Sequence, residues 1–229
     1  MKLSNIIKLF SRHTSIRCHF SQYGEDVILH KLFGSKFSDG FYIDVGAHHP
    51  FRQSNTAYLW LMGWKGVNVD ASKKAIAIFN SVRPRDINLW SAVVDDETSA
   101  RQSEIVLYSN LDRDLDLGAT CNSELAKDRQ ATRSEVVPCT SLTEIINRYA
   151  SINNNRIDFL NIDIEGFDQT AIAGIEKWVT KPRVICIEIF GENLRSVVSS
   201  PACLLLENNG YALIERVGCS AMFKLLNEQ

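Results

Sequence analysis

The chain has 229 residues, 45% of them hydrophobic, which is enough to bury the core of one ordinary domain, and no linker composition argues for two. A formal net charge of −2 leaves no overall basic field to collect phosphate backbones, so nucleic acid is not expected as a main partner. The six cysteines include no C-x-x-C pair, which excludes zinc-ribbon and redox spacings and points to reduced thiols.

In chain order, Leu3, Ile6, Ile7 and Phe10 fall at helical spacing, but Lys8 interrupts the apolar run and no small-residue cleavage site follows. Residues 1–20 read as an N-terminal helical arm ahead of a single domain over 21–229. The arm packs on the domain, or alternatively makes a weak membrane-surface or partner contact through Lys2, Lys8 and Arg12. No apolar stretch reaches the roughly 20 residues that span a bilayer, and the protein is expected to be cytoplasmic.

Beyond the arm, short β-rich runs alternate with helical patterns, the signature of a mostly parallel sheet covered on both faces. Strands are predicted at 40–45, 66–70, 87–94, 157–163 and 183–189, with an extra strand at 104–108. Helices are predicted at 54–62, 72–82, 141–150, 168–179 and 196–208. Ser141 with Glu144 makes a capping box, and Asn208, Asn209 and Gly210 make a helix stop. The polar stretch 110–133 reads as a long loop, which in a compact domain is usually functional. Near the C-terminus, 211–217 and 221–226 flank Gly218, Cys219 and Ser220 as a closing hairpin.

Two strand ends carry chemistry. The first reads "FYIDVGAHHP", placing Asp44 and Gly46 where an α/β sheet binds ligands and where a missing side chain admits one close to the backbone. The next acidic strand end, Asp70, follows at a spacing near the roughly 20 residues at which a carboxylate meets ribose hydroxyls. His48, His49 and Pro50 replace the glycines of a dinucleotide loop, and Asp44 would repel a diphosphate. A cationic nucleoside with no phosphate, S-adenosylmethionine, suits this junction better. As an ordinary turn, D-x-G would mean nothing, and lone histidines are more often packing residues than catalysts.

The second strand end reads "FLNIDIEGFD". If the strand persists, Asp163 and Glu165 face one side, and mutual repulsion raises one pKa toward that of a proton acceptor. The two could equally hold a divalent metal with Glu188. Asp168 reads as a helix-start carboxylate, favoured there by the helix dipole.

Taken with "SQYGEDVIL", "GWKGVNVDAS", "RPRDINLWSAVVDD" and "RVICIEIF", these segments resemble, in order from about Ser21 to Lys224, the FkbM family of S-adenosylmethionine-dependent methyltransferases. The resemblance implies a class I methyltransferase fold: a Rossmann-like three-layer sandwich whose seven-stranded, mostly parallel sheet ends in an antiparallel hairpin. It implies O-methylation of a hydroxyl on a sugar, glycan or related metabolite, with S-adenosyl-L-methionine as cofactor. It also implies that Asp44 and Gly46 line the methionine part, Asp70 the ribose and Ser91 with its neighbours the adenine, with His48 among the cofactor-binding residues. Gln22, Gly24, Asp26, Ser54 and Asn55 would close the pocket, and Asp163 would border it. The "HHP" loop departs from the Asn and Gly that many members carry there.

For the chemistry, an alcohol must lose its proton, and Asp163, Glu165 or His49 are the base candidates. The loop 110–133 would serve as acceptor lid. Two other readings stand beside this one. A nicotinamide oxidoreductase would want G-x-G-x-x-G, which is missing, and none of the six tyrosines is followed four places later by lysine. A non-catalytic nucleoside-binding protein on the same fold is the alternative from another class. A hydrolase elbow, G-x-S-x-G, is absent. Acceptor identity, metal dependence and oligomeric state are not written in the sequence.

Overall fold

The structure, a computed structural model, describes residues 19–34, 37–110 and 115–226. The helical arm expected over 1–20 lies almost wholly outside the described residues.

Seven strands form the main sheet: β1 (Phe41–Val45), β2 (Lys65–Asp70), β3 (Ile87–Trp90), β7 (Phe159–Ile162), β8 (Val184–Glu188), β9 (Tyr211–Val217) and β10 (Ser220–Leu225). Their order is β3-β2-β1-β7-β8-β10-β9. All neighbours are parallel except β10, which runs antiparallel to both β8 and β9. This is the expected class I arrangement, with the closing hairpin inserted so that β10 reaches the parallel core. Strand order reverses between β1 and β7, and a ligand crevice opens at such a switch point.

Sequence explains the centre of the sheet. All five residues of β1 are buried, as a parallel strand with both faces covered requires. Ile43, Val45, Val67, Val69, Leu160, Ile162, Ile185 and Ile187 meet Leu142, Ile145, Ile146 and Leu206 from helices on one face. Tyr42, Phe159, Val184, Cys186 and Met222 meet Leu29, Leu59 and Trp64 on the other. Leu29 belongs to a helix at Glu25–Phe33 that the sequence reading did not predict.

Three other expectations are corrected. The single strand expected at 87–94 breaks at Ser91: β3 stays in the main sheet, whereas β4 (Ala92–Val94) departs to pair with β6 (Arg133–Ser141). With β5 (Glu104–Ser109), these make a separate three-stranded sheet in the order β4-β6-β5. β6 was not predicted. The expected loop at 110–133 carries a short helix, Ser123–Asp128, with Asn122 accepting from the amides of Glu124 and Leu125. The helix expected at 196–208 is two, Leu194–Val198 and Pro201–Asn208, broken where Ser199 and Ser200 precede Pro201. The capping box at Ser141 and Glu144 forms as expected. The five described cysteines are free thiols.

Candidate active site

A cleft lies over the C-terminal ends of β1, β2, β3 and β7, lined among others by Gly46, His48, Asp70, Ser91, Asp163 and Glu165. Its far wall is apolar: Ala92, Leu107, Leu115, Leu117 and Ala119 come from the small sheet and the segment after it. Six of the residues expected to touch ligand are thus brought together, beside a greasy slot of the kind that takes a flat heterocycle.

Gly46 sits at the switch point with φ of 77°, a left-handed conformation that favours glycine. Its amide and that of Ala47 both bond the carbonyl of Val69, at 2.9 and 3.1 Å, folding the turn back onto β2. A Cβ on Gly46 would lie 1.7 Å from the carbonyl oxygen of Asp163. The ends of β1 and β7 therefore touch only because this position is bare.

His48 also has positive φ, 52°, where Asn is better tolerated than most residues. Its amide donates to Asp70 Oδ2 at 2.8 Å, and the Ser72 amide donates to Asp70 Oδ1 at 2.7 Å. Burial raises the Asp70 carboxyl to about 6, against the opposing pull of those two amides. Burial lowers the His48 imidazole to about 4, helped by Arg52 and His49, so it is neutral through the physiological range. Its Nε2 is buried with no hydrogen-bond partner among the described residues. A half-buried acceptor-rich carboxylate and an unsatisfied ring nitrogen in one cleft suit a ligand rich in hydroxyl and amino donors. Ser91 marks the break between β3 and β4, its hydroxyl held by the carbonyls of Ala92 and Pro138.

Asp44 lies elsewhere. It is 1% exposed, does not line the cleft, and accepts from Thr56 Oγ1 at 2.5 Å and Asn161 Nδ2 at 2.9 Å. Burial raises its carboxyl, opposed by those two bonds and by Arg83. Asn55 donates to Asn161 at 2.9 Å, so Asn55, Asn161, Asp44 and Thr56 form one buried chain beneath the loop. Ser54 accepts from Arg83 Nη2 at 3.2 Å. Gln22, Gly24 and Asp26 lie in the segment before the sheet and do not line the cleft. Asp26 accepts from the Phe20 amide and the Ser21 hydroxyl, Gly24 caps the helix Glu25–Phe33, and Gln22 bonds Tyr23. His49 Nδ1 accepts from the amides of Phe51 and Arg52 at 3.1 and 3.0 Å, fixing a turn.

At the second strand end the sequence expectation is corrected. β7 ends at Ile162 and the chain turns at Glu165 and Gly166, both with positive φ, so Asp163 and Glu165 do not share a strand face. Asp168 accepts from the amides of Ile164 and Gly166, organising this turn as a structural carboxylate. Glu165 pairs with Arg129 at 2.6 Å, and its carbonyl accepts from Thr120 Oγ1 at 2.7 Å. Asp163 has no side-chain hydrogen bond among the described residues. Its carboxyl is held well above the usual range, first by burial and then by Glu188, Asp168, Glu165 and Asp44. Among the described residues no group of three His, Cys, Asp or Glu side chains is arranged to hold a metal.

Sequence reasoning missed Arg83, which is fully buried and bonds the Pro50 carbonyl, Ser54, Thr56 and Tyr42. It pins the loop that carries His48 and His49. The signal was faint, one arginine in "VRPRD" at a helix end. Arg129 and Thr120, which tie the segment 115–130 to the Glu165 turn, gave no motif at all.

Among solved structures, a TehB-like SAM-dependent methyltransferase from Corynebacterium glutamicum ATCC 13032 Kitasato is similar at 12% identity and a TM-score of 0.43, with 97% of this chain and 95% of that chain covered. No curated protein matches. The profile described as the methyltransferase FkbM domain matches residues 44–213, from the buried Asp44 of β1 to Leu213 of β9. That span takes in the switch point, the cleft-lining strand ends and the small sheet, and the chain belongs to the FkbM family of S-adenosylmethionine-dependent methyltransferases.

Proposed function

We propose that this chain methylates a hydroxyl on a sugar, a glycan or a related metabolite. The observation that carries this reading is the Asp163 carboxyl. It borders the cleft beside the Gly46 turn, unpaired among the described residues and with its pKa raised. A hydroxyl is a poor nucleophile until its proton is taken, and a carboxyl that titrates nearer neutrality takes that proton more effectively than an ordinary one.

The lining fits the cofactor. Gly46 and His48 would hold its amino-acid end, Asp70 its ribose, and Ser91 with Ala92, Leu107 and Leu115 its adenine. When bound, S-adenosylmethionine supplies a methyl carbon on a cationic sulfur, which keeps the electron pair of the broken bond and leaves as a neutral thioether. The protein's part is to fix the acceptor oxygen in line, exclude water and receive one proton. Positioning of this kind is worth roughly 7–11 kcal/mol, and a placed base adds about a hundredfold to ten-thousandfold. Of the three base candidates, Glu165 is engaged by Arg129 and His49 by two backbone amides, which favours Asp163.

The test is a screen of glycans and hydroxylated metabolites for methylated product by mass spectrometry, with S-adenosylhomocysteine binding measured by calorimetry. Asp163→Asn is expected to lose at least about a hundredfold in turnover. Full activity in that variant removes Asp163 as base. Cofactor binding with no transfer to any hydroxyl compound would instead favour the non-catalytic nucleoside-binding reading.

A further inference from the structure

Glu188 has no place in the chemistry so far. The ladder between β7 and β8 pairs Asn161 with Cys186 and Ile162 with Ile187, and Asp163 and Glu188 are the next residues along the two chains. That ladder ends at Ile162 and Ile187, and just beyond it the Asp163 amide still bonds the Val45 carbonyl of β1 at 3.0 Å. Carried one residue further, that register puts the two side chains on one face of strands about 4.8 Å apart, and among the charged groups that raise the Asp163 carboxyl Glu188 comes first. Glu188 Oε2 is buried with no hydrogen-bond partner among the described residues, and Asp163 has none for its side chain.

We propose that Asp163 and Glu188 form a carboxyl–carboxylate pair holding one proton between them, and that this pair receives the proton of the acceptor hydroxyl. The proposal rests on the hydroxyl-methylating reading above and names the machinery of that same site. Two carboxylates at this separation do not both ionise readily in a half-buried site, so one retains a proton while the other stays available as base. In the step itself the hydroxyl O–H bond breaks and a carboxyl O–H bond forms. The proton goes to solvent once product has left, so no oxidant or reductant is needed.

The surroundings favour shared protonation. Glu165 and Asp168 face the pair from the turn after β7, and Asp44 faces Asp163 from β1. Arg129 offers a cation toward Glu188 but is already committed to Glu165. Tyr23 and Cys219 border the pair from the segment before the sheet and from the hairpin turn. Ser220, opposite Glu188 in the β10 ladder, is bonded to Glu25 rather than to Glu188. Burial and the acids around it bring Glu188 up to about 7.

The experiment is a carbon-13 titration of Asp and Glu carboxyls in the full chain between about pH 4 and 9. It is run on wild type, Glu188→Gln and Asp163→Asn, beside the pH profile of turnover on whichever hydroxyl compound the screen yields. Glu188→Gln is expected to lower the Asp163 midpoint by at least about one pH unit and to move the acid limb of turnover the same way. Asp163→Asn should lower the Glu188 midpoint reciprocally. Midpoints that stay in place overturn the pair, and shifted midpoints with an unmoved acid limb overturn its catalytic role. If Glu188→Gln does not fold, the Asp163→Asn titration decides. If wild type methylates no hydroxyl compound, the acceptor reading fails, and the midpoints then judge the pair on their own.

Discussion

Replacing Gly46 by alanine tests the geometry of the switch point most directly. The new Cβ would lie 1.7 Å from the Asp163 carbonyl oxygen and 2.7 Å from its carbonyl carbon. Real Cβ atoms do not approach closer than 3.0 Å, so the Asp163 peptide must retreat by about 1.3 Å, the gap between those two distances. That peptide is not free to retreat, because its amide bonds Val45 at 3.0 Å. The backbone at φ 77° adds roughly 1–2 kcal/mol for a side chain in the left-handed region. Losing one or two of the backbone bonds at the junction adds about 1 kcal/mol each. The sum is about 2–4 kcal/mol, or a fall of roughly 4–16 °C in Tm for a chain of this size. Because Asp163 moves with its peptide, S-adenosylhomocysteine affinity should fall at least about tenfold, near 1.4 kcal/mol. Thermal unfolding and titration calorimetry on the purified variant read both. A Tm within experimental error of wild type, together with unchanged affinity, would refute the claim that the two strand ends touch through a bare backbone.

Other outcomes follow from the polar networks. Arg83→Met removes the buried bonds to the Pro50 carbonyl, Ser54 and Thr56 and should cost about 2–4 kcal/mol in urea unfolding, with Arg83→Lys unable to restore the forked contacts. Arg129→Ala breaks a half-buried ion pair worth about 1 kcal/mol, so stability should change little. Limited proteolysis should nonetheless cut faster within 115–130, and bound S-adenosylhomocysteine should restore protection. Glu188 is raised to about 7 in the fold against an ordinary carboxylate value in the unfolded chain. The fold therefore holds a proton that the unfolded chain gives up, and this contribution is lost as pH climbs from about 4.5 through 7. Glu188→Gln should accordingly match wild type near pH 4.5 and exceed it by about 1–2 kcal/mol at pH 8, the figure allowing for partial solvent access.

Legibility in the sequence tracked how local each cause was. Strands β1, β2 and β8 announce themselves as short runs rich in Val and Ile whose central residues are buried on both faces, and the capping box at Ser141 is written within four residues. β6 escaped notice because four of its first five residues, Arg133 to Val136, are exposed, which leaves no alternation to read. The break at Ser91 is set by which partner Ala92–Val94 finds, Cys139–Ser141, and no short-range pattern carries that choice. Gly46, Asp70 and Asp163 were legible as candidates, and the structure brings all three to one cleft, because acidic or glycine positions ending apolar strands are unusual. Asp44 is equally unusual in sequence, yet it sits inside the strand rather than at its end, and its carboxyl serves Thr56 and Asn161, partners 12 and 117 positions away that no local pattern announces. Arg83 was hidden because its four partners lie between 27 and 41 positions away.

One rim of the sheet, beside Glu188, is joined from distant stretches of chain. Glu25 accepts a hydrogen bond from the hydroxyl of Ser220, 195 positions on, and the Tyr23 ring lies where a Cβ on Gly218 would come within 2.4 Å. The hairpin turn meeting that rim also accepts from the Ile189 amide, one residue past Glu188. A growing polypeptide consequently cannot assemble this contact until Ser220 has emerged, and contacts of such long reach form late and slowly. Glu188, paired with Ser220 and followed by the Ile189 amide that bonds Cys219, thus gains its final surroundings only when these two distant stretches have met.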